Sequence, residues 1–210
     1  QTHISQQHAS YYMTFIAQHG ERLVYKDRPR ALTRILPDWA NVLAGWDWCV
    51  AQHNADLLRV GVHGINEYFS ARGNPKDGVT LLTRSLEHFD DDDPVSIDLT
   101  IELASLLVRV GEVPQARKLL AQLERSPLVQ HDLRWQMLVC KTSVTVASQQ
   151  GKREEQIESA EKGLTLAREF GDRVTECICL RALGMAYRYN DPEKGEFYLQ
   201  TCANLAQQHE

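Results

Sequence analysis

The sequence predicts an all-α fold, a right-handed α-solenoid of antiparallel helical hairpins with about ten helices. The first observation behind this prediction is a turn signal at Gly73, Gly111, Gly151 and Asn190, which lie 38, 40 and 39 residues apart. A repeat of this length is typical of stacked helical hairpins. The second observation is that apolar residues between these turns recur every three or four positions, the spacing of helices with one buried face.

Residues 1–54 are predicted to form an N-terminal helical hairpin that caps the solenoid. Its first helix spans 6–25, and Pro37 starts or kinks a second helix that carries Trp39 and Trp46. Because these tryptophans are seven residues apart, they share one helix face, which we expect to pack against the first helix. Two interpretations stay open for them: packing in the core, or an aromatic box that stacks on a ligand.

Residues 55–210 are predicted to form four helical hairpins. Their ranges are 55–89, 94–125, 130–170 and 173–208. At each turn we expect glycine or asparagine to adopt the left-handed conformation that ends a helix. Taken alone, Thr142–Val146 could be a strand, because hydroxyl and valine residues alternate there. Its helical flanks and the lack of a partner strand in the sequence predict a helix instead.

Small residues recur in the second helix of the hairpins, five residues after the turn. They are Gly78, Ala116 and Gly195, while Gln156 takes this place in the third hairpin. Small side chains let the two helices of a hairpin approach closely. Because one hairpin cannot bury its apolar face alone, we expect neighbouring hairpins to stack.

Composition limits the classes of partner and compartment. The 210 residues carry a net charge of −5 without a concentrated basic patch, so we expect no direct nucleic-acid binding. The apolar runs are too short for a transmembrane helix, so we expect no membrane partner. The five cysteines are odd in number and irregularly spaced, which favours free thiols and a cytoplasmic location. Cys177 and Cys179 point about 200° apart on a helix, so we expect small buried residues rather than metal ligands.

The repeat pattern resembles the tetratricopeptide repeat over roughly residues 55–208. Leu183-Gly184-Met185-Ala186-Tyr187 is similar to the Leu-Gly-x-x-Tyr motif of the first helix in that family. The turn and second helix are matched by the run from Gly151 to Leu164, and by Gly111 to Pro127. The first-helix tryptophan of the family is absent and the period exceeds 34 residues, so we expect longer helices than in the ideal repeat.

The N-terminal part is similar to the repeat region of bacterial STAND-class signalling ATPases, including LuxR-like and antibiotic-regulator-like transcription factors. In that family a helix beginning His-x-x-Tyr-Tyr, here His8 to Tyr12, precedes a Glu-x-x-Asn-Leu-x-x-Ala-x-x-Trp motif. The positions that match this spacing are Asp38, Asn41, Val42, Gly45 and Trp48. The resemblance implies an ATPase module and a winged helix before Gln1, with this segment as the sensor or scaffold half.

We expect the chain to be a fragment of a longer protein, because it begins at Gln1 without an initiator methionine or a signal peptide. Neither a Walker A loop nor a helix-turn-helix motif occurs in it, so ATP hydrolysis and DNA binding are not carried by these residues.

The tetratricopeptide resemblance implies that certain first-helix positions line a concave groove. Carried over by register, they are His63, Glu67, Asp98, Ser105, Arg109, Lys141, Thr145, Gln149, Arg181, Met185 and Arg188. The set is polar, and basic towards the C-terminus. Two interpretations stay open: a solvated inner face, or a clamp for the carboxylates of an acidic peptide. The partner in the groove would be a peptide, a protein or a small effector.

The sequence predicts neither an enzyme nor a cofactor or metal site. None of the eight histidines forms an H-x-x-x-H or H-E-x-x-H pair, and no Gly-x-Ser-x-Gly elbow is present. His63 and Glu67, four residues apart, can be a helix-surface contact or an acid–base dyad.

The predicted function is that of a non-catalytic protein-interaction or effector-sensing domain, part of a larger ATPase that regulates signalling or transcription. The alternative is a self-assembly scaffold, a homo-oligomer with the solenoid ends as its interface.

Overall fold

The structure, a computed structural model, describes residues 2–24 and 27–207. The prediction of an all-α chain is confirmed, since these two ranges contain helices and no strand. The α-helices are α1 (Thr2–Arg22), α2 (Arg28–Ile35), α3 (Trp39–Ala51), α4 (Ala55–Arg72), α5 (Pro75–Leu86), α6 (Pro94–Val110), α7 (Val113–Arg125), α8 (Pro127–His131), α9 (Leu133–Gln149), α10 (Arg153–Phe170), α11 (Arg173–Tyr187) and α12 (Pro192–Gln207). A 3-10 helix, Leu36–Asp38, joins α2 to α3. Within the described ranges, none of these helices combines the length and apolarity that a membrane crossing requires.

The chain divides into two compact units, Gln1–Glu112 and Val113–Glu210. The predicted boundary between residues 54 and 55 lies inside the first unit, where α1 and α3 both pack on α4. The short helices α2 and α8 are additions that the sequence analysis does not predict. In α2, Ala31 and Ile35 are buried four residues apart, so a single apolar stripe is enough to hold this short helix.

The turn prediction is confirmed at the three glycines and wrong at Asn190. Gly73, Gly111 and Gly151 have φ angles of 77°, 88° and 66°, in the left-handed region. Asn190 has no positive φ. The chain turns there with the help of Asp191, whose carboxylate accepts a hydrogen bond from the backbone N–H of Lys194 at 3.1 Å and caps α12.

The first unit is organised by a close crossing of α1 and α4 at two glycines. A Cβ built on Gly20 would overlap the Cα of Gly64. A Cβ on Gly64 would overlap the carbonyl of Ile16, approaching its carbon to 2.7 Å. The two backbones therefore touch without intervening side chains, a contact that only glycine permits.

The tryptophans of α3 do not both pack as predicted. The ring of Trp39 stacks on Tyr68 of α4, with centroids 3.8 Å apart. Trp46 is fully buried, and its Nε1 donates to Ser85 Oγ of α5 at 2.9 Å, so core packing is confirmed for it. At the contact with α1, a Cβ on Gly45 would lie 3.3 Å from the Cα of Ala9. This close approach leaves no room for an indole between the two helices.

In the second unit each helix from α9 to α12 packs on the next, and α11 also contacts α9. Thr142–Val146 lies within α9, so the helix prediction is confirmed there. The small-residue prediction holds at Gly195, where a Cβ would lie 3.1 Å from the carbonyl oxygen of Gly184. Gln156 is buried, and its Nε2 donates to the backbone carbonyl of Ala182 at 3.0 Å. At the position where other hairpins have a small residue, the longer side chain of Gln156 is therefore accommodated by a hydrogen bond of its amide group.

Candidate functional site

Two of the predicted groove residues, His63 and Asp98, belong to a polar network between α4 and α6. Arg59 Nε donates to Asp98 Oδ2 at 2.7 Å, and His63 Nδ1 lies 2.8 Å from Glu102 Oε1. Asn66 Nδ2 donates to Glu102 Oε2. Spacings of three and four residues put the partners on one face of each helix, so they meet in successive turns.

Burial divides this network into an inner acidic part and an outer part formed by Arg59 and His63. The side chains of Asp98 and Glu102 are only 3% and 9% exposed, whereas those of Arg59 and His63 are 36% and 41% exposed. Buried carboxylates require partners, and these two half-exposed side chains supply them. Asp98 therefore lies in the contact between α4 and α6 and is paired with Arg59, whose guanidinium group is the charge that the network presents to solvent.

The structure also gives His63 a different carboxylate partner from the one considered in the sequence. The carboxylate 2.8 Å from its Nδ1 belongs to Glu102 on the next first helix, whereas Glu67 on the same helix is half-buried. Sequence reasoning missed Arg59, Asn66 and Glu102. The available signal was their spacing, since Arg59 precedes His63 by four residues and Glu102 follows Asp98 by four. The remaining predicted residues of this unit lie on α6, with Ser105 half-buried and Arg109 exposed.

The predicted residues of the second unit lie on, or directly after, two helices that contact each other, α9 and α11. Three are on α9, two are on α11, and Arg188 caps the C-terminus of α11: Lys141, Thr145, Gln149, Arg181, Met185 and Arg188. All are exposed except Lys141, which is half-buried, and Met185 has 47% of its surface exposed. We call these six residues the α9–α11 face.

The cations of the α9–α11 face are not engaged in ion pairs with described residues. Among the residues that the structure describes, Lys141, Arg181 and Arg188 have no carboxylate within ion-pair distance. Four other basic residues of the unit do have one, at Glu155 or Glu176, whereas others such as Lys118 also have none in the described ranges. The four paired residues are Arg117, Lys152, Arg168 and Arg173. The α9–α11 face therefore keeps positive charge that is available to a ligand.

A cleft between α7, α9 and α10, which the sequence analysis did not predict, has a volume of about 230 Å³. Arg117 spans it, donating to Gln150 Oε1 at 2.9 Å and to Glu155. Hydrogen bonds from Arg117 and from Lys152 lower the pKa of Glu155 below its ordinary value. Arg117 and Lys152 offset the charge of Glu155, and the lining also contains Glu124 and Glu158, so the cleft offers no net positive charge to an acidic ligand, unlike the α9–α11 face.

The carboxylate of Glu176, a side chain only 8% exposed, forms ion pairs with two arginines. Arg168 Nε lies 2.9 Å from its Oε1, and Arg173 Nη1 lies 3.0 Å from its Oε2. Burial acts to raise the pKa of Glu176, but the hydrogen bonds and charges of the two arginines outweigh it, and the pKa is lowered. The carboxylate therefore stabilises the fold above its ordinary pKa of 4.5, and this stabilisation is lost as pH falls through the lower folded value.

We therefore expect Glu176→Gln to lower the melting temperature at pH 7. The difference in melting temperature from wild type should become smaller as the pH falls below 4.5. Thermal unfolding followed by circular dichroism between pH 7 and pH 3 measures this difference. Glu169→Gln, at an exposed position of α10, is the matched control and should change the melting temperature little at any pH. A difference in melting temperature between wild type and Glu176→Gln that stays constant from pH 7 to pH 3 would contradict a lowered pKa of Glu176.

In the described part of the chain, no three histidine, cysteine, aspartate or glutamate side chains lie close enough together to hold a metal ion. Comparisons of the chain with known protein families, with curated proteins and with solved structures give no match. The functional assignment therefore depends on the geometry and charge of the chain itself.

Proposed function

We propose that the chain is a non-catalytic interaction domain, a right-handed solenoid of tetratricopeptide-like antiparallel hairpins, whose α9–α11 face binds an acidic peptide segment of a partner protein. The observation that carries the proposal is that Lys141 of α9, and Arg181 and Arg188 on either side of the exposed Met185 in the sequence of the contacting α11 segment, have no carboxylate partners among the described residues. In a chain of net charge −5, unpaired cations on one face are the feature that an acidic ligand would recognise.

The chemistry of this face suits carboxylates in an extended peptide. Arg181 and Arg188 are seven residues apart, and Arg188 continues the helical backbone as the C-cap residue of α11, so helical spacing places both residues on one side. An arginine can donate two parallel hydrogen bonds to one carboxylate, and such charge-assisted bonds are stronger than neutral ones. Met185 lies between them and offers a flexible apolar surface to a side chain of the peptide.

We assign the polar network of the first unit to the packing of α4 on α6 and not to the proposed binding face. His63 Nδ1 is engaged with Glu102, and Glu102 also accepts from Asn66, so these groups hold α4 and α6 together. In the larger STAND-type regulator that the sequence suggests, peptide binding would favour one arrangement of neighbouring repeats and shift the parent protein towards its active state.

The test is binding of fluorescein-labelled decapeptides, rich in aspartate and glutamate with an apolar residue every third position, measured by fluorescence anisotropy. We expect Arg181→Glu to weaken binding by at least about tenfold, because it replaces attraction with repulsion at the centre of the face. Lys118→Glu is the matched control: it makes the same charge change at an exposed position of α7 and should leave affinity nearly unchanged. Equal losses in the two variants, or no binding of any acidic peptide by wild type, would overturn the proposal.

One observation favours the alternative function, self-assembly through the end of the repeat array. The buried residues of α12 are Gly195 and Leu205, while Phe197 is 64% exposed and Tyr189, in the turn before this helix, is 83% exposed. Exposed aromatic side chains of this kind can bind another protein surface. Light scattering over a concentration series distinguishes the two functions. A mass near 23.9 kDa throughout contradicts self-assembly, and a larger species that Phe197→Glu dissociates supports it.

A further inference from the structure

Two cysteines from different helices face each other in the second unit. Cys202 Sγ of α12 lies 3.3 Å from the backbone carbonyl oxygen of Cys177 in α11. Cys177 Sγ lies 4.0 Å from the backbone carbonyl oxygen of Cys202. Each sulfur thus reaches the backbone of the other residue. Both side chains pack against the same apolar cluster, and both are partly exposed.

The register of α11 and α12 explains why these thiols meet. The helices touch through backbone at Gly184 and Gly195, where a Cβ on Gly195 would lie 3.1 Å from the carbonyl oxygen of Gly184. Cys177 precedes Gly184 by seven residues, and Cys202 follows Gly195 by seven. Seven residues are two helical turns, so the cysteines continue the line of closest approach that the glycines set. A disulfide needs such closely spaced backbones.

The other three cysteines are in a different environment. Cys49, Cys140 and Cys179 are buried, and burial raises the pKa of Cys49 and Cys140 to about 11 and that of Cys179 to about 12. Cys140 and Cys179 also lie near each other, since both border the space beside Gly163. This second pair lacks the solvent access that an oxidant requires, which makes it an internal control.

We propose that Cys177 and Cys202 are a site of reversible disulfide modification, oxidised by a low-molecular-weight disulfide such as glutathione disulfide. The Cys202 thiolate attacks the glutathione disulfide, breaking its S–S bond and releasing one glutathione thiolate. The Cys177 thiol then loses its proton to solvent and attacks the sulfur of Cys202, releasing the second glutathione. Two protein thiols are oxidised, and one glutathione disulfide is reduced to two glutathiones.

The order of the two attacks follows from the surroundings of Cys177. Burial, followed by the charge and side-chain hydrogen bond of Cys202, raises the pKa of Cys177 to about 11, so this thiol stays protonated while Cys202 is free. Once Cys202 carries glutathione, its charge and hydrogen bond no longer raise the pKa of Cys177, while burial still does, so Cys177 loses its proton more readily than in the reduced chain. The product joins α12 covalently to α11 and restricts the unfolded chain, independently of any peptide bound to the α9–α11 face.

The experiment incubates the chain with glutathione redox buffers, blocks free thiols with iodoacetamide under denaturing conditions, and measures intact and tryptic masses. After blocking, we expect a product that carries three carbamidomethyl groups where the reduced chain carries five, and that has two hydrogens fewer in its cysteine side chains. In the digest, peptide 174–181 should be joined to the peptide that contains Cys202. Because Cys177 and Cys179 share peptide 174–181, a Cys179→Ala variant identifies the cysteine that reacts, and it should still form the bond. Oxidised wild type should also melt several degrees higher than reduced wild type.

The matched variants are Cys202→Ser and Cys202→Ala, each checked for native helicity by circular dichroism. Both should lose the joined peptide and the rise in melting temperature. The proposal is overturned if wild type forms no joined peptide at any glutathione ratio, if the bond joins Cys140 to Cys179, or if Cys202 remains a stable mixed disulfide with glutathione.

Discussion

Gly64→Ala is expected to lower the free energy of unfolding of the first unit by about 3 kcal/mol or more, and its melting temperature by roughly 10 °C. The added methyl group would overlap the carbonyl of Ile16, a backbone group of α1 that no side-chain rotation can move. Helix propensity alone predicts the opposite sign, because alanine is favoured over glycine by about 1 kcal/mol inside a helix. The sign of the change therefore tests the α1–α4 crossing directly.

The measurement is urea unfolding followed by tryptophan fluorescence in a Trp135→Phe background, so that the remaining tryptophans, 39, 46 and 48, all report on the first unit. Gly73→Ala is the matched control, since a Cβ there meets nothing within 4 Å and its φ of 77° costs alanine only about 1 kcal/mol. A Gly64→Ala variant as stable as wild type would show that α1 and α4 do not cross at these glycines.

Glu102→Leu is expected to destabilise the first unit by about 3 kcal/mol, because it removes the buried acceptor of the α4–α6 network. Leucine fills similar space but leaves Asn66, which is 2% exposed, without the carboxylate to which its Nδ2 donates. It also removes the carboxylate from beside His63, although this side chain is 41% exposed and retains part of its hydration.

The same urea titration separates the charge of Glu102 from its hydrogen bonds. Glu102→Gln keeps one oxygen acceptor and the shape of the side chain, so its loss of stability should be smaller than that of Glu102→Leu. If both substitutions are neutral, Glu102 does not hold α4 to α6, and the network described here is not formed in solution.

Local features of the fold could be predicted from the sequence because their causes are local. Gly73, Gly111 and Gly151 end helices through their own backbone freedom, and the periodicity around Thr142–Val146 marks a helix despite its β-branched residues. At Asn190 the same reasoning failed, because the neighbouring Asp191 caps the next helix and no left-handed residue is needed.

Features that depend on which helices meet could not be predicted in this way. Trp39 stacks on Tyr68 because α3 approaches α1 through Gly45, a packing arrangement that helical spacing alone does not specify. His63 pairs with Glu102, 39 positions along the chain, rather than with its sequence neighbour Glu67. The residues of the α9–α11 face were identified by register, but the absence of carboxylates near its cations depends on every described neighbour in three dimensions.

Binding of acidic peptides by the α9–α11 face can be observed residue by residue in an assigned ¹H–¹⁵N NMR spectrum of the chain titrated with one of the acidic decapeptides. We expect progressive shifts of the amide signals of Lys141, Arg181, Met185 and Arg188, which Arg181→Glu should suppress. Shifts confined to Ser143 and Ser159 in the α7–α10 cleft, or no shifts at millimolar peptide, would contradict it.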